Sequence, residues 1–80
     1  MVIKLDYYII GQQIRKIRKS KSLSQEVLAE KVGISTTHMS HIETGNTKLS
    51  LAVLVKIALV LNVTTDELLF SPTLKTDKML

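Results

Sequence analysis

The chain has 80 residues, a formal net charge of +4 and no cysteine, which excludes a disulfide framework and a zinc site built on thiolates. This length predicts one small domain, and the longest apolar stretch, residues 49–63, is shorter than the roughly 20 residues that a membrane-spanning helix needs. The amino terminus lacks a basic and then apolar secretory signal, so we expect a soluble, cytoplasmic protein.

The positive charge is concentrated in the first part of the chain. Residues 1–31 contain seven Lys or Arg and three Asp or Glu, whereas residues 32–80 contain four of each kind. A localised basic surface suits a polyanion such as nucleic acid, although a solvated helix face is the alternative interpretation.

Five positions along the chain carry the same signal for the start of a helix. In each, an apolar residue precedes Ser, Thr or Asp, and a second apolar residue follows the first at the spacing of a hydrophobic staple around an N-cap. The five signals are Leu5-Asp6 with Ile10, Leu23-Ser24 with Leu28, Ile34-Ser35 with Met39, Leu49-Ser50 with Leu54, and Val63-Thr64 with Leu68. They predict helices over residues 7–20, 25–32, 36–44, 51–61 and 65–70.

The signals for helix ends agree with these starts. Gly33 and Gly45 follow the second and third predicted helices, and Pro72 follows the fifth. Because strand-like alternation is absent and the connections are short, we predict an all-α fold, a compact five-helix bundle over residues 1–70 with a short tail over residues 71–80. Gly11 inside the first helix predicts either close approach of another backbone or a helix that starts after it.

The segment from Ser24 to Glu43 has the layout of a helix-turn-helix, because two short predicted helices are joined by a tight turn. The small side chain of Ala29 lets the second of these helices cross close to the first, and Gly33 tolerates the positive φ that the turn needs. These features fit any small pair of helices as well as a DNA-binding motif, so both interpretations stay open on the residues alone.

The order of motifs along residues 10–70 resembles the Cro/C1-type (XRE-like) helix-turn-helix family. The matching stretches are IGQQIRKIRKSKSLSQEVLAEKVGIS, HMSHIETG and LVKIALVLNVTTDELL. The resemblance implies a lambda-repressor-like DNA-binding domain with the helix-turn-helix at helices two and three. It also implies a bacterial or phage transcription regulator, expected here to be a repressor, that binds double-stranded DNA as a homodimer with its third helix in the major groove.

The third predicted helix carries the candidates for contacts with base edges. Met39 and Ile42 point inward by helical spacing, so the opposite side faces outward. The candidates are Thr36, Thr37, Ser40 and His41. Their hydroxyl groups and imidazole donate or accept hydrogen bonds, and a Thr methyl can contact a thymine methyl. Because this set lacks the long side chains of Gln and Arg, we expect modest specificity or help from water and DNA shape.

Contacts with DNA phosphates are expected at helix starts and in the loop after the third helix. The candidates are Lys21, Gln25, Ser35, Thr44, Asn46 and Lys48. The resemblance implies that Gln25 grips the DNA backbone and that Arg18 and Glu43 form a structural ion pair between the first and third helices. The loop after the third helix departs from the family in lacking a proline and extra basic residues.

The fourth predicted helix is apolar on nearly all sides, and such a helix is usually buried on nearly all sides. The candidate dimer or partner interface is Val53, Leu59, Val60, Leu69 and Phe70. A two-fold dimer is one interpretation. The alternatives are that Val53 and Val60 only cover the fifth helix or the tail, or that this surface binds another protein, as in an antitoxin or a partner of a related regulator.

Neither an enzyme nor a metal protein is predicted. His38 and His41 are three residues apart, but zinc takes three or four protein ligands, and the chain has no third His and no Cys. The chain also lacks a nucleophile elbow, a glycine-rich phosphate cradle and a clustered pair of carboxylates. We therefore expect no catalytic residue, no metal and no cofactor.

Overall fold

Residues 5–70, the part of the chain that this computed structural model describes, form five α-helices joined by short connections. The helices are α1 (Tyr7–Ser20), α2 (Gln25–Val32), α3 (Thr36–Thr44), α4 (Leu51–Leu61) and α5 (Thr65–Leu69). The predicted all-α fold is confirmed, and the predicted bounds of the first four helices are those observed. The predicted tail and the stop at Pro72 lie outside the described residues. No helix in the described part is long and apolar enough to cross a membrane.

Each helix begins after its predicted N-cap. The caps Asp6, Ser24, Ser35, Ser50 and Thr64 have extended backbones, and in each a side-chain oxygen accepts from an amide N–H in the first turn of the helix. Because these amides have no partner within their own helix, each cap contributes about 1 kcal/mol to stability. Local chemistry therefore explains why the starts were predictable.

The helix ends were predicted less completely than the starts. Gly33 and Gly45 end α2 and α3 in the left-handed conformation, as predicted. The predicted end of α4 at residue 61 is correct, but its capping residue was not predicted: Asn62 adopts φ 58° there, a conformation that Asn tolerates better than most residues. α5 ends at Leu69 and not at residue 70, because Phe70 already has an extended backbone with φ −121° and ψ 144°.

One hydrophobic core joins all five helices. Its members are Ile10, Ile14, Leu28, Ala29, Val32, Met39, Ile42, Leu54, Ile57, Ala58, Leu61 and Leu68. Met39 and Ile42 are the apolar residues that α3 turns into this core, so the opposite face of α3 points away from the protein.

α1 crosses the carboxyl end of α3 at two glycines. A Cβ on Gly11 would collide with the carbonyl oxygens of Ile42 and Glu43. The predicted close approach of a second backbone is therefore confirmed, and the alternative of a later helix start is wrong. On the other side of the crossing, a Cβ on Gly45 would lie 2.6 Å from the Cα of Tyr8. The two backbones are in contact at both places, which fixes the position of α3.

Candidate nucleic-acid interface

The outward face of α3 is polar and open to solvent. Thr36, Thr37 and His41 are exposed, and Ser40 is half-buried. Within residues 5–70 the side chains of Thr36, Thr37 and His41 make no hydrogen bond, so their donors and acceptors are available to a ligand. The four predicted base-contact residues therefore share one accessible side of one helix.

The turn between α2 and α3 is held by backbone hydrogen bonds and by the cap of α3. The amides of Gly33 and Ile34 both donate to the carbonyl oxygen of Ala29, at 2.8 and 3.0 Å. The Oγ of Ser35 accepts from the amide of His38 at 3.0 Å, which leaves its hydroxyl proton free to donate to a phosphate oxygen. This arrangement is that of a helix-turn-helix.

A buried ion pair joins α1 to α3. Arg18 donates from Nε to Oε2 of Glu43 at 2.7 Å and from Nη2 to Oε1 at 3.0 Å. Glu43 is only 1% exposed, and this two-pronged geometry is the strong form of an Arg–carboxylate pair. Arg18 also donates from Nη1 to the carbonyl oxygen of Leu23 at 2.8 Å, so the pair holds the loop before α2 as well.

Gln25, the first residue of α2, belongs to the same network. Its Nε2 donates to Oε1 of Glu43 at 3.1 Å, and the second proton on Nε2 remains for another acceptor. The Oγ of Ser24 accepts from the amide of Val27 at 3.0 Å, and the earliest amides of α2 have no partner within the helix. Sequence reasoning missed the hydrogen bond between Gln25 and Glu43, because nothing local links residues 18 positions apart.

The last residue of α3 and the loop after it contain three of the predicted phosphate-contact residues. Thr44, Asn46 and Lys48 are all exposed. The Oγ1 of Thr44 donates to the carbonyl oxygen of Ser40 at 2.9 Å and accepts from Nδ2 of Asn46 at 3.1 Å. A phosphate only accepts hydrogen bonds, so Thr44 would have to give up its own bond to contact one, whereas Lys48 and the second amide proton of Asn46 are available. Lys21 is also exposed, just after α1.

The outer face of α4 is apolar and uncovered by the described part of the chain. Leu51 and Leu59 are each 74% exposed and Val55 is 39% exposed, and their spacing puts them on one face. We call these three residues the α4 apolar stripe. Within the described part of the chain, α2, α5 and the start of α1 cover the other sides of α4, so the predicted burial of this helix on nearly all sides would need a partner.

The predicted interface residues only partly coincide with this stripe. Leu59 belongs to it, but Val53, Val60 and Leu69 are half-buried and pack against the protein's own core. Phe70 is half-buried, and its carbonyl oxygen accepts from Nε2 of Gln13 at 3.5 Å. The structure thus favours the interpretation that the two valines cover the chain itself. Sequence reasoning missed Leu51 and Val55, because an all-apolar helix does not indicate which side its neighbours leave open.

An apolar groove of about 220 Å³ lies beside the α4 apolar stripe. Its walls are formed by residues at the start of α1, just before and within α4, and at the end of α5. The lining residues are Leu5, Tyr7, Ile10, Leu49, Leu51, Leu54 and Leu69. Contiguous exposed apolar surface is typical of sites where another macromolecule docks.

No group of three or more His, Asp or Glu side chains that could hold a metal ion comes together within residues 5–70. His38 is half-buried, whereas His41 is exposed on the outward face of α3. The two imidazoles are therefore in different surroundings, although they are three residues apart.

Comparison with known proteins gives a family match over most of this fold. Residues 14–68 match the family model described as helix-turn-helix. The matched range contains all of α2, α3 and α4, together with half of α1 and most of α5.

Three relatives illustrate the similarity. The chain is 43% identical over 60 residues to the HTH-type transcriptional regulator YazB of Bacillus subtilis, a match that covers 75% of this chain and 87% of YazB. It is 40% identical over 62 residues to the HTH-type transcriptional regulator SinR of the same organism, covering 76% of this chain and 56% of SinR. The crystal structure of SinR in complex with DNA superposes with a TM-score of 0.69 over 74% of this chain and 95% of that chain. The restriction-modification controller protein C.AhdI of Aeromonas hydrophila is 35% identical, with a TM-score of 0.76 over 79% of this chain and 96% of that chain.

Proposed function

We infer the function from the premise that the chain belongs to the Cro/C1-type (XRE-like) helix-turn-helix family. It is a DNA-binding transcription regulator, as its relatives are HTH-type transcriptional regulators and SinR has been crystallised with DNA. We propose that it is a repressor that recognises double-stranded DNA by sequence, as a homodimer, with α3 in the major groove. We also propose that it acts in the cytoplasm, catalyses no reaction, and uses residues 1–70 as its DNA-binding domain with residues 71–80 as a tail.

The observation that carries this proposal is the polar, unengaged outer face of α3 on a rigid support. Thr36, Thr37 and His41 are open to solvent, while the backbone behind them contacts α1 at Gly11. A reading surface needs both properties, because base edges are recognised by hydrogen bonds whose geometry must be fixed before binding.

The phosphate contacts follow from the ends of the same elements. We propose that Gln25, Ser35, Asn46, Lys48 and Lys21 fix the register on the duplex without reading sequence. The free proton on Nε2 of Gln25 and the free hydroxyl proton of Ser35 support this role, since a phosphate oxygen accepts from both. We assign Thr44 a lesser part, because its own proton is already donated to Ser40.

The homodimer is proposed to form through the α4 apolar stripe. Two copies related by a two-fold axis would bury Leu51, Val55 and Leu59 against the same residues of the partner. Such a dimer would present two copies of α3 to half-sites about 34 Å apart, one turn of the duplex.

The direct test is selection of binding sites from a randomised duplex library, with the enriched sites measured again for wild type and for His41→Ala. We expect an inverted repeat, and a loss of about 0.5–1.5 kcal/mol in binding per protomer for the variant, the usual net contribution of one hydrogen bond. His38→Ala is the matched control, because His38, the other histidine of α3, is half-buried. Binding that is indifferent to sequence would contradict the proposal.

A second candidate function is a protein-interaction module, and the exposure of the α4 apolar stripe favours it. In this case the stripe and the adjoining groove would bind a different protein, as an antitoxin or a partner of a regulator does. Sedimentation separates the two candidates: a stable dimer at micromolar concentration supports the homodimer, whereas a monomer that selects no DNA site supports the module.

A further inference from the structure

We propose that the exposed face of α1 is a second DNA-contact surface, which holds the sugar-phosphate backbone beside the groove that α3 enters. The α1 basic face consists of Gln12, Arg15, Lys16 and Lys19. This inference rests on the proposed function, because it assumes that α3 faces the duplex. It adds residues from a helix outside the helix-turn-helix.

The first observation is that the charges of the α1 basic face have no carboxylate partner within residues 5–70. Gln12, Arg15, Lys16 and Lys19 are all exposed, and they line one shallow depression on the surface. Among the described residues, Arg18 and Glu43 form the only ion pair within 4 Å. Arg15, Lys16 and Lys19 thus have no carboxylate partner in that part of the chain, and the surface carries three positive charges on one helix.

The second observation is where the two ends of this face lie. At its amino-terminal end is Tyr8, which is 59% exposed and whose backbone contacts Gly45. Gly45 is followed by Asn46, a proposed phosphate contact. At the other end of the face, Lys19 lies two residues before Lys21, a proposed phosphate contact in the connection between α1 and α2. The α1 basic face therefore runs between two places where we expect phosphates.

The length of the face suits a DNA backbone. From Tyr8 to Lys19 the helix rises about 16 Å at 1.5 Å per residue, a span comparable with several phosphates of one strand, which follow at about 3.4 Å along the duplex axis. The planar guanidinium of Arg15 fits two phosphate oxygens, and the lysines act as point charges. The hydroxyl of Tyr8 adds a neutral donor at the end near α3.

The test compares two double variants that remove the same charge. Arg15→Gln with Lys19→Gln neutralises the α1 basic face, and Lys31→Gln with Lys56→Gln neutralises two exposed lysines on α2 and α4. None of the four side chains makes a hydrogen bond or ion pair within the described residues, so all variants should fold, which circular dichroism would check. Affinity is then measured against salt concentration, on the selected site and on a scrambled duplex.

We expect the slope of log K against log salt to become less steep by about 3.6 for the first double variant, since each of the two protomers loses two phosphate contacts and each lost contact removes about 0.9. The loss should be equal on both duplexes, because phosphates carry no sequence information. His41→Ala, by contrast, should lose affinity on the selected site alone. The control double variant should keep the wild-type slope.

Equal slopes for the two double variants would overturn the inference while leaving the proposed function intact, provided that wild type binds its selected site. If wild type selects no duplex, the proposed function and the inference both fall. Equal slopes also overturn the inference when wild type binds a polyglutamate peptide and the double variant Arg15→Gln with Lys19→Gln does not. That result would assign the face to an acidic protein.

Discussion

The outer faces of α3 and α4 are both open to solvent, but their chemistry is opposite. The α3 face presents hydroxyls and an imidazole, and the α4 apolar stripe presents two leucines that are each 74% exposed. A polar face can be exposed to water at no cost in free energy, so it is stable in the absence of a hydrated ligand such as DNA. An apolar stripe is disfavoured in water until a partner covers it. Exposure alone therefore does not tell the two roles apart, whereas composition does.

The support behind the two faces differs as well. α3 is held from behind by the ion pair between Arg18 and Glu43 and by the close crossing at Gly11. α4 is held by ordinary apolar packing of Leu54, Ile57 and Leu61. Fixed hydrogen-bond geometry matters for reading bases, whereas apolar association is non-directional and tolerates adjustment.

The largest expected effect comes from removing the support of α3. Glu43→Ala leaves the buried guanidinium of Arg18 unpaired, and breaking a buried pair in this way costs about 3–5 kcal/mol. Urea unfolding followed by circular dichroism measures the loss of stability. Glu30→Ala, on the exposed surface of α2, is the control and should change stability by less than about 0.5 kcal/mol. Similar unfolding midpoints for the two variants would mean that α3 does not depend on this pair.

The next largest effect is expected on dimer formation, which depends on the α4 apolar stripe and not on the outer face of α3. Leu59→Ser should weaken the homodimer by about 2 kcal/mol, the usual threshold for an important interface residue, and should lower affinity for a palindrome more than for a single half-site. Sedimentation and binding to both duplexes measure this change. Val27→Ser replaces another exposed apolar residue, and it should leave the dimer unchanged. A dimer that survives Leu59→Ser would place the interface elsewhere.

The smallest effect compares the caps of the two helices. The Oγ of Ser35 accepts from the amide of His38, and the Oγ of Ser50 accepts from the amide of Val53. Ser35→Ala and Ser50→Ala each remove one of these hydrogen bonds, so each should destabilise the protein by about 1 kcal/mol. Only Ser35→Ala should also weaken DNA binding, because its hydroxyl is a proposed phosphate contact. Thermal unfolding and binding measured side by side distinguish the two losses. Equal DNA affinity in both variants would remove Ser35 from the interface.

Much of the fold could be predicted because its signals are local. An N-cap and its staple lie within six residues of each other, so each of the five starts could be recognised in isolation. The ends at Gly33 and Gly45 followed from the need for positive φ. Asn62 was missed because Asn adopts the left-handed conformation only in some surroundings, and no sequence pattern marks them.

The site could be predicted only in part, for a related reason. Helical spacing indicates which side of α3 faces outward, and the family resemblance suggested the pair of Arg18 and Glu43. The contact of Tyr8 with Gly45 and the bond from Gln25 to Glu43 join residues far apart in the chain. The exposure of Leu51 and Val55 depends on which sides of α4 the other helices cover. Such facts arise from packing and not from local sequence.

The crossing at Gly11 and Gly45 also bears on how such a protein can be altered. Since α1 meets the backbone of α3 and not its outer side chains, α3 cannot turn about its axis without separating from α1. Replacing Thr36, Thr37, Ser40 or His41 should therefore leave the docking angle unchanged. The outer residues of α3 can be exchanged as a set, and new target preferences could be engineered onto this scaffold without redesigning its core.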